Sequence, residues 1–473
     1  FIQILTGLKI IEFISALHDD HQLARVSTKQ ESMLHYYGEE VTIYFEYLRH
    51  YRNWLKFPAA LGIIILILRS INFYDVVDTP TEAVYACATI IWATLYVIFW
   101  GRRSNKLATI WHSYSKLYTL SDRRPEFRGM TRLNPITNLP ELYYPKKLMV
   151  LKYLKSTLYT LPFLLLTFFI VVACLNMNLY MTPKTLLYIP YFAKMGEKGG
   201  IFAPGTLGYY VPTILQVIGV TVVNSFYRPI SYQRTQSENH MLKSHFEDAL
   251  ILKRFVFMFI SGFLYLIYIA FWRLDIPALR QELVMIFLVD EFRRVATETL
   301  IPYLLKQQKI RNKAINEISD AAIKAEAHKQ EYIHNKLIEM GSPEFQGFNE
   351  YIEMVFQFGY VSLFSSVFPL AGPLSLLFNA IELRSDFFKI KTTYRRPIPK
   401  KSGGIGIWFL ILKVMSILAV TTNTVLLTLG EDHVLHFIAK HGFSKLMVDP
   451  YETLVNSVVL CFFSEHILLV VVM

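Results

Sequence analysis

Residues 350–386 read EYIEMVFQFGYVSLFSSVFPLAGPLSLLFNAIELRSD. Two apolar segments are joined here by a short turn between Pro369 and Pro373, and each is long enough to cross a bilayer as a helix. Both carry acids where hydrocarbon penalises them. Glu350 and Glu353, three residues apart, share one helical face, and Glu382 and Asp386, four apart, share a face of the next helix. Ionisable groups at such positions are costly and mark function, so this hairpin bears on both the fold class and the first candidate site.

The rest of the chain agrees with the membrane reading. Its 473 residues are 53% hydrophobic and only 18% charged. Apolar runs near or above ~18 residues recur along it, which gives an all-α polytopic membrane protein. The net charge of +11 does not point to nucleic acid, because the basic residues cluster between apolar runs. Cys87, Cys174 and Cys461 fall inside apolar runs without zinc or disulfide spacing, and read as small core or lipid-facing residues. The chain starts at Phe1 and closes inside an apolar run, as expected of a piece of a longer protein.

Residues 1–56 are expected to form an amphipathic helical segment on or near the membrane face. Spans are then predicted near 57–71, 83–100, 157–178, 207–226, 251–271, 280–302, 350–369, 373–390, 405–429 and 451–473, ten in all, the chain ending within the last. The link between the first two spans is acidic and lacks Lys and Arg, whereas 101–156 carries GRRSNK, DRRPEFRG and YYPKKLMVLKYLK. Basic loops stay in the cytosol, so both termini, 101–156, 227–250, 303–349 and 391–404 are placed inside. The charged stretch 303–349 is read as a cytosolic linker helix with a solvated face.

This topology puts Glu350, Glu353, Glu382 and Asp386 at the inner ends of spans seven and eight, and Glu298 at the inner end of span six. Carboxylates gathered on three helices cannot all stay ionised without partners. They must be protonated, pair with basic residues such as Arg294, Arg384 or Lys389, or bind a cation. An oxygen-only set without Cys or His suits a hard cation, Ca²⁺ better than Mg²⁺. Two such ions would nearly balance the five acids.

The hairpin, followed by YRRPIPKKSGGIGIW, resembles the anoctamin family, as do RPEFRG, NPIT and YYP after span two, SENH before span five and ETLIP at the end of span six. The wording QFGYVSLFS is closest to the family's intracellular-membrane branch. The resemblance implies a homodimer of ten-span subunits that acts as a Ca²⁺-activated phospholipid scramblase or anion channel, in the endoplasmic reticulum or the plasma membrane. It assigns Ca²⁺ binding, two ions per subunit, to Glu298, Glu350, Glu353, Glu382 and Asp386. Two family Asn positions on the rim of that site are Arg294 and Phe378 here. Arg294 stands one turn before Glu298, placed to act as a tethered cation or to reach a lipid phosphate. A third family site would need an acid where this chain has Ile98.

The same resemblance implies a transport groove bounded by spans four, five and six. Span four carries Gln216, Thr221, Asn224 and Ser225, and span six carries Asp290, Glu291 and Arg293, of which Asp290 and Glu291 point in different directions. A polar stripe open to lipid would let headgroups cross while the acyl tails stay in hydrocarbon. The favoured function is a Ca²⁺-regulated phospholipid scramblase in which the acids set the position of span six. An anion channel on the same fold and a non-transporting membrane tether are the other readings. There is no phosphate-binding glycine loop, metalloprotease helix or nucleophile–base arrangement, so an enzyme is not expected. His18, His21, His240 and His245 read as surface residues.

Overall fold

The structure, a computed structural model, describes residues 17–429 except 71–80, 114–123, 135–137, 204, 302–303, 305–331, 334–335, 338 and 346. Its helices are α1 (Asp20–Arg25), α2 (Gln30–Tyr37), α3 (Glu39–Ser70), α4 (Thr81–Ile110), α5 (Lys146–Leu158), α6 (Leu161–Met177), α7 (Pro190–Gly196), α8 (Val211–Ser237), α9 (Lys243–Ile267), α10 (Ile276–Arg294), α11 (Gly347–Leu363), α12 (Ala371–Thr392) and α13 (Trp408–Leu429). One antiparallel hairpin, β1 (Met130–Leu133) with β2 (Pro140–Tyr143), pairs Met130 with Tyr143 and Leu133 with Pro140. The fold is that of a helical membrane protein.

Among the described residues, six helical segments are long and apolar enough to cross a membrane: Glu39–Leu68, Val84–Ile110, Lys146–Met177, Gly208–Ser237, Lys243–Arg273 and Trp408–Leu427. Helices α10, α11 and α12 occupy the sixth, seventh and eighth expected spans without meeting that simple description. α10 and α12 carry several charges, and α11 is only 17 residues long. The tenth expected span and most of the 303–349 linker lie outside the described residues. No break marks the boundary expected after residue 56, since α3 runs from Glu39 to Ser70 with Pro58 inside it.

Local chemistry sets the helix ends that matter for the site. Asp275 caps α10, its carboxylate accepting the Ala278 N–H at 3.0 Å, and Pro277 follows in the first turn, where its missing N–H costs nothing. At the other end α10 passes into a π-helical turn, Val295–Leu300, that carries Glu298 in its backbone. Such turns recur at functional positions. The side chain of Glu298 lies outside the described residues.

The α11–α12 hairpin is buried against α3 and α13. A Cβ on Gly62 of α3 would meet the Pro369 carbonyl oxygen at 2.4 Å, and one on Gly372 would meet the Pro58 carbonyl group at 2.8 Å, so glycine at both positions lets the hairpin turn lie directly on α3. From α13, Asn423 donates to the Ser362 carbonyl at 2.6 Å and accepts from Ser365 Oγ at 2.9 Å. A second group of helices, α6, α8, α9 and α10, packs beside this one. Aromatic contacts of Phe263 on α9 and Phe287 on α10 with Tyr360 on α11 join the two groups. Two of the four histidines read as surface residues are buried instead: His18, beside the Tyr36 hydroxyl at 3.0 Å, and His240, beside Glu238 at 3.0 Å. Polar flanking sequence did not reveal that each has a local partner.

Candidate functional site

The acids of the hairpin meet where α11 and α12 face the end of α10. Glu350, Glu353 and Glu382 present carboxylate oxygens all within 4.8 Å of one another. Glu350 and Glu382 are buried and Glu353 half-buried. Asp386 is 1% exposed and accepts the hydroxyl proton of Tyr44, from α3, at 2.5 Å. Four of the five expected acids are thus at one place.

Two basic side chains stand among them. Arg294, 3% exposed, donates to Glu291, which precedes it by one turn of α10. Its Nη1 also donates to Glu353 at 3.3 Å and lies 3.9 Å from Glu382. Lys389 Nζ sits between Glu350 at 3.1 Å and Asp386 at 2.7 Å. Of the three partners weighed for the acids, Arg384 alone is exposed and away from them. Among the described residues, the five carboxylates Glu291, Glu350, Glu353, Glu382 and Asp386 share the positive charges of Arg294 and Lys389, and Arg294 ties α10 to the hairpin. A cation bound through protein side chains is already part of the architecture.

The rim positions behave differently. Arg294 enters the site, whereas Phe378 packs against Phe287 with ring centroids 5.9 Å apart and takes no part in the carboxylate cluster. Glu291, expected on the transport path, turns away from it. Its carboxylate accepts from Arg294 and from Gln357 Nε2 on α11 at 3.0 Å. Asp290, one residue earlier, faces the other way and binds Arg293 at 2.6 Å. A 100° step per residue separates the two acids' roles. Gln357 and Tyr44 were missed in the sequence because each is one polar group in an otherwise apolar or aromatic run.

A cavity of about 420 Å³ opens beside the acids. From α8 it is lined by Gln216, Thr221, Asn224, Ser225 and Arg228, a polar stripe along the helix. Asp290 and Arg293 line it from α10, Met258 and Gly262 from α9, and Glu350, Glu353 and Lys389 from the hairpin. The polar stripe and the acidic cluster thus border the same space. Several stripe hydroxyls are internally satisfied: Thr221 donates to the Val217 carbonyl at 2.8 Å and Ser225 to the Thr221 carbonyl at 3.0 Å. Asn224 and Gln216, both buried, supply the stronger dipoles of the stripe.

A family model described as "Anoctamin: Calcium-activated chloride channel" matches residues 33–473. Anoctamin-10 of Homo sapiens is 31% identical over 401 residues, covering 84% of this chain and 57% of the relative. Anoctamin-7 of Homo sapiens is 26% identical over 470 residues, covering 84% and 48%. Anoctamin-5 of Homo sapiens is 24% identical over 490 residues, covering 89% and 53%. The chain spans about half the length of these curated relatives. With the family model matching nearly all of its length, the chain belongs to the anoctamin family.

Proposed function

We propose that this chain is the membrane part of a passive phospholipid scramblase regulated by Ca²⁺. The supporting observation is the shared cavity: a polar face of α8 opposite Asp290 and Arg293, continuous with the acids that sit against the end of α10. Headgroups would move along Gln216, Thr221 and Asn224 while acyl tails remain in hydrocarbon, with no coupled energy source. Ten spans, cytosolic termini and a homodimer complete the proposal.

Glu350, Glu353 and Glu382 fit one Ca²⁺, because oxygens within 4.8 Å of one another suit a hard cation. A bound ion would supply positive charge that draws these carboxylates together. Two ions per subunit, with Asp386 and Glu298 as further ligands, is the fuller form of the proposal. Arg294 and Lys389 compete for the same carboxylates. The α10 end is held to the hairpin by Arg294 itself, which offsets the mutual repulsion of the carboxylates there. Regulation then consists of exchanging fixed charges for a mobile one, with Lys389 and Arg294 as the groups that must move.

An anion channel on the same fold is the second reading, favoured by the family description and by Arg228, Arg293 and Lys389 in the cavity wall. Purified protein in liposomes separates the two. Fluorescent-lipid exchange measured with and without Ca²⁺, beside chloride flux from the same preparation, should show lipid movement. Chloride flux without lipid exchange would favour the channel, and neither activity would leave a tether.

A further inference from the structure

Each acid in the cavity wall lies within ion-pair distance of a cation. Asp290 pairs with Arg293 at 2.6 Å, Glu350 with Lys389 at 3.1 Å and Glu353 with Arg294 at 3.3 Å. Arg228, which also lines the cavity, has no carboxylate within ion-pair distance among the described residues. A second unmatched guanidinium stands near it. Arg254 lies on α9 one turn before Met258 and two before Gly262, both cavity residues, so its side chain continues the same helical face. Arg254 is 7% exposed, and its Nε and Nη2 are buried without an acceptor among the described residues. It stacks on Phe348, another cavity residue, with the guanidinium carbon 3.7 Å from the ring centroid. Arg228 is the like charge whose field reaches it. α8 and α9 run antiparallel along this wall, so both arginines fall at one end, beyond Ser225 on one helix and Met258 on the other.

Burying a guanidinium without a counter-ion, beside a second positive charge, is unfavourable unless something anionic completes the site. The ring contact with Phe348 offsets only a fraction of that cost. A phosphate group fits what is left. It is planar-donor compatible, accepts forked N–H donors from two arginines, and at neutral pH a monoester approaches two negative charges. A choline or ethanolamine ammonium would be repelled from the same place.

We infer that Arg228 and Arg254, with Phe348 as the platform, form a binding site for a phosphomonoester at the expected cytosolic mouth of the cavity, either a lipid headgroup or free phosphate. The site gives the cavity a preference for anionic headgroups. That preference rests on the scramblase reading, while the binding site does not.

The test uses the full chain purified in detergent, titrated with inorganic phosphate and, separately, with short-chain phosphatidic acid, with short-chain phosphatidylcholine as control. Binding is read by calorimetry, which requires no transport. Phosphatidic acid should bind at least tenfold more tightly than phosphatidylcholine, and Arg228→Gln should weaken it by on the order of tenfold, the loss of one charge-assisted contact. Arg254→Lys keeps the charge of the buried residue while removing its fork and should weaken binding in the same direction. Phosphate binding as tightly as phosphatidic acid would identify the free ion as the ligand. Much weaker phosphate binding would identify the headgroup. Equal binding of the two lipids, or binding of phosphatidic acid unchanged by both substitutions, would overturn the site, whatever the liposome assay shows about scrambling.

Discussion

Replacing Arg294 with Asn removes the positive charge that joins α10 to the hairpin and installs the residue expected from the family at that position. Arg294 lies 3.3 Å from Glu353 and 3.9 Å from Glu382, and also donates to Glu291. At an effective dielectric of about 20 these two longer contacts alone correspond to about 5 and about 4 kcal/mol of Coulomb attraction. Desolvation cancels much of this, and breaking a buried pair by removing one partner costs a net ~3–5 kcal/mol because the other charges stay behind. In Arg294→Asn those charges are carboxylates whose oxygens already approach within 4.8 Å of one another. A divalent cation can restore the loss, and at a hundred times its Kd it returns about 2.7 kcal/mol. Thermal unfolding of the purified chain, followed by size-exclusion fluorescence, should therefore show a variant that is less stable than the parent in chelator and gains more from Ca²⁺. Lipid exchange by the same variant should depend more steeply on Ca²⁺. Equal stability in chelator together with an equal Ca²⁺ response would refute the view that Arg294 acts as a tethered cation.

Other outcomes follow from the same geometry. Glu353→Gln should raise the Ca²⁺ needed for half-maximal lipid exchange in liposomes, and Asp386→Asn should do so while also freeing Lys389 from its 2.7 Å contact; an unchanged Ca²⁺ midpoint in both would remove the site assignment. Gln216→Leu combined with Asn224→Leu takes the two buried amides off the α8 stripe and should slow lipid exchange several-fold, with Glu291→Gln as a comparison that leaves the stripe intact. Gly62→Ala places a methyl group 2.4 Å from the Pro369 carbonyl and should destabilise the hairpin by about 1–3 kcal/mol, read as a lower unfolding temperature. Burial lowers the pKa of His18 from its ordinary value of 6.5, with Glu339 opposing the shift. Its neutral form is the one that fits, so the stability it contributes is present above 6.5 and is lost as pH falls below that value. Protection factors across 17–37, corrected for the slower intrinsic amide exchange at lower pH, should fall between pH 7.5 and pH 5.5, and His18→Gln should flatten the difference.

The hairpin was legible because two unlike signals coincide in it. Apolar length demands a bilayer, and acids at helical spacing contradict the bilayer, so only a site reconciles them. The polar face of α8 was legible through its amides, since Gln216 and Asn224 are costly in a span, whereas a hydroxyl such as Thr221 is satisfied by its own helix backbone. What the sequence withheld is which side of a helix is solvated and which is packed. Asp290 and Glu291 are equivalent as letters, and only the packing of α10 against α11 sends one to the cavity and the other to Gln357. Arg254 is a more severe case. In sequence it is a basic residue next to Lys253 at the edge of a span, a position that ordinarily means contact with headgroups or water. The fold instead buries it on Phe348, from a helix nearly a hundred residues away. Long-range placement of this kind has no local signature.

The acids and the arginines of this cavity can be understood as one electrostatic system. If the acids were compensated only by a mobile cation, the cavity beside them would swing from strongly negative to neutral as that cation came and went. Arg294 and Lys389 prevent the negative extreme, because they hold Glu353, Glu382, Glu350 and Asp386 when the mobile cation is gone. A ligand-dependent swing then runs in the opposite direction: a cation that takes over these carboxylates releases Lys389, which already lines the cavity, as added positive charge in that space. Arg228 and Arg254 at the mouth act on an anion in the same sense. Occupation of the acidic cluster should therefore strengthen anion binding at the arginines, a coupling that must be reciprocal if it is thermodynamic. Measuring phosphatidic acid affinity in Ca²⁺ and in chelator, and Ca²⁺ affinity with and without the lipid, provides both halves of that cycle. Unequal coupling in the two directions would indicate that one of the titrations reports something other than these sites, and no coupling at all would mean that Lys389 stays in place when the carboxylates bind their ion.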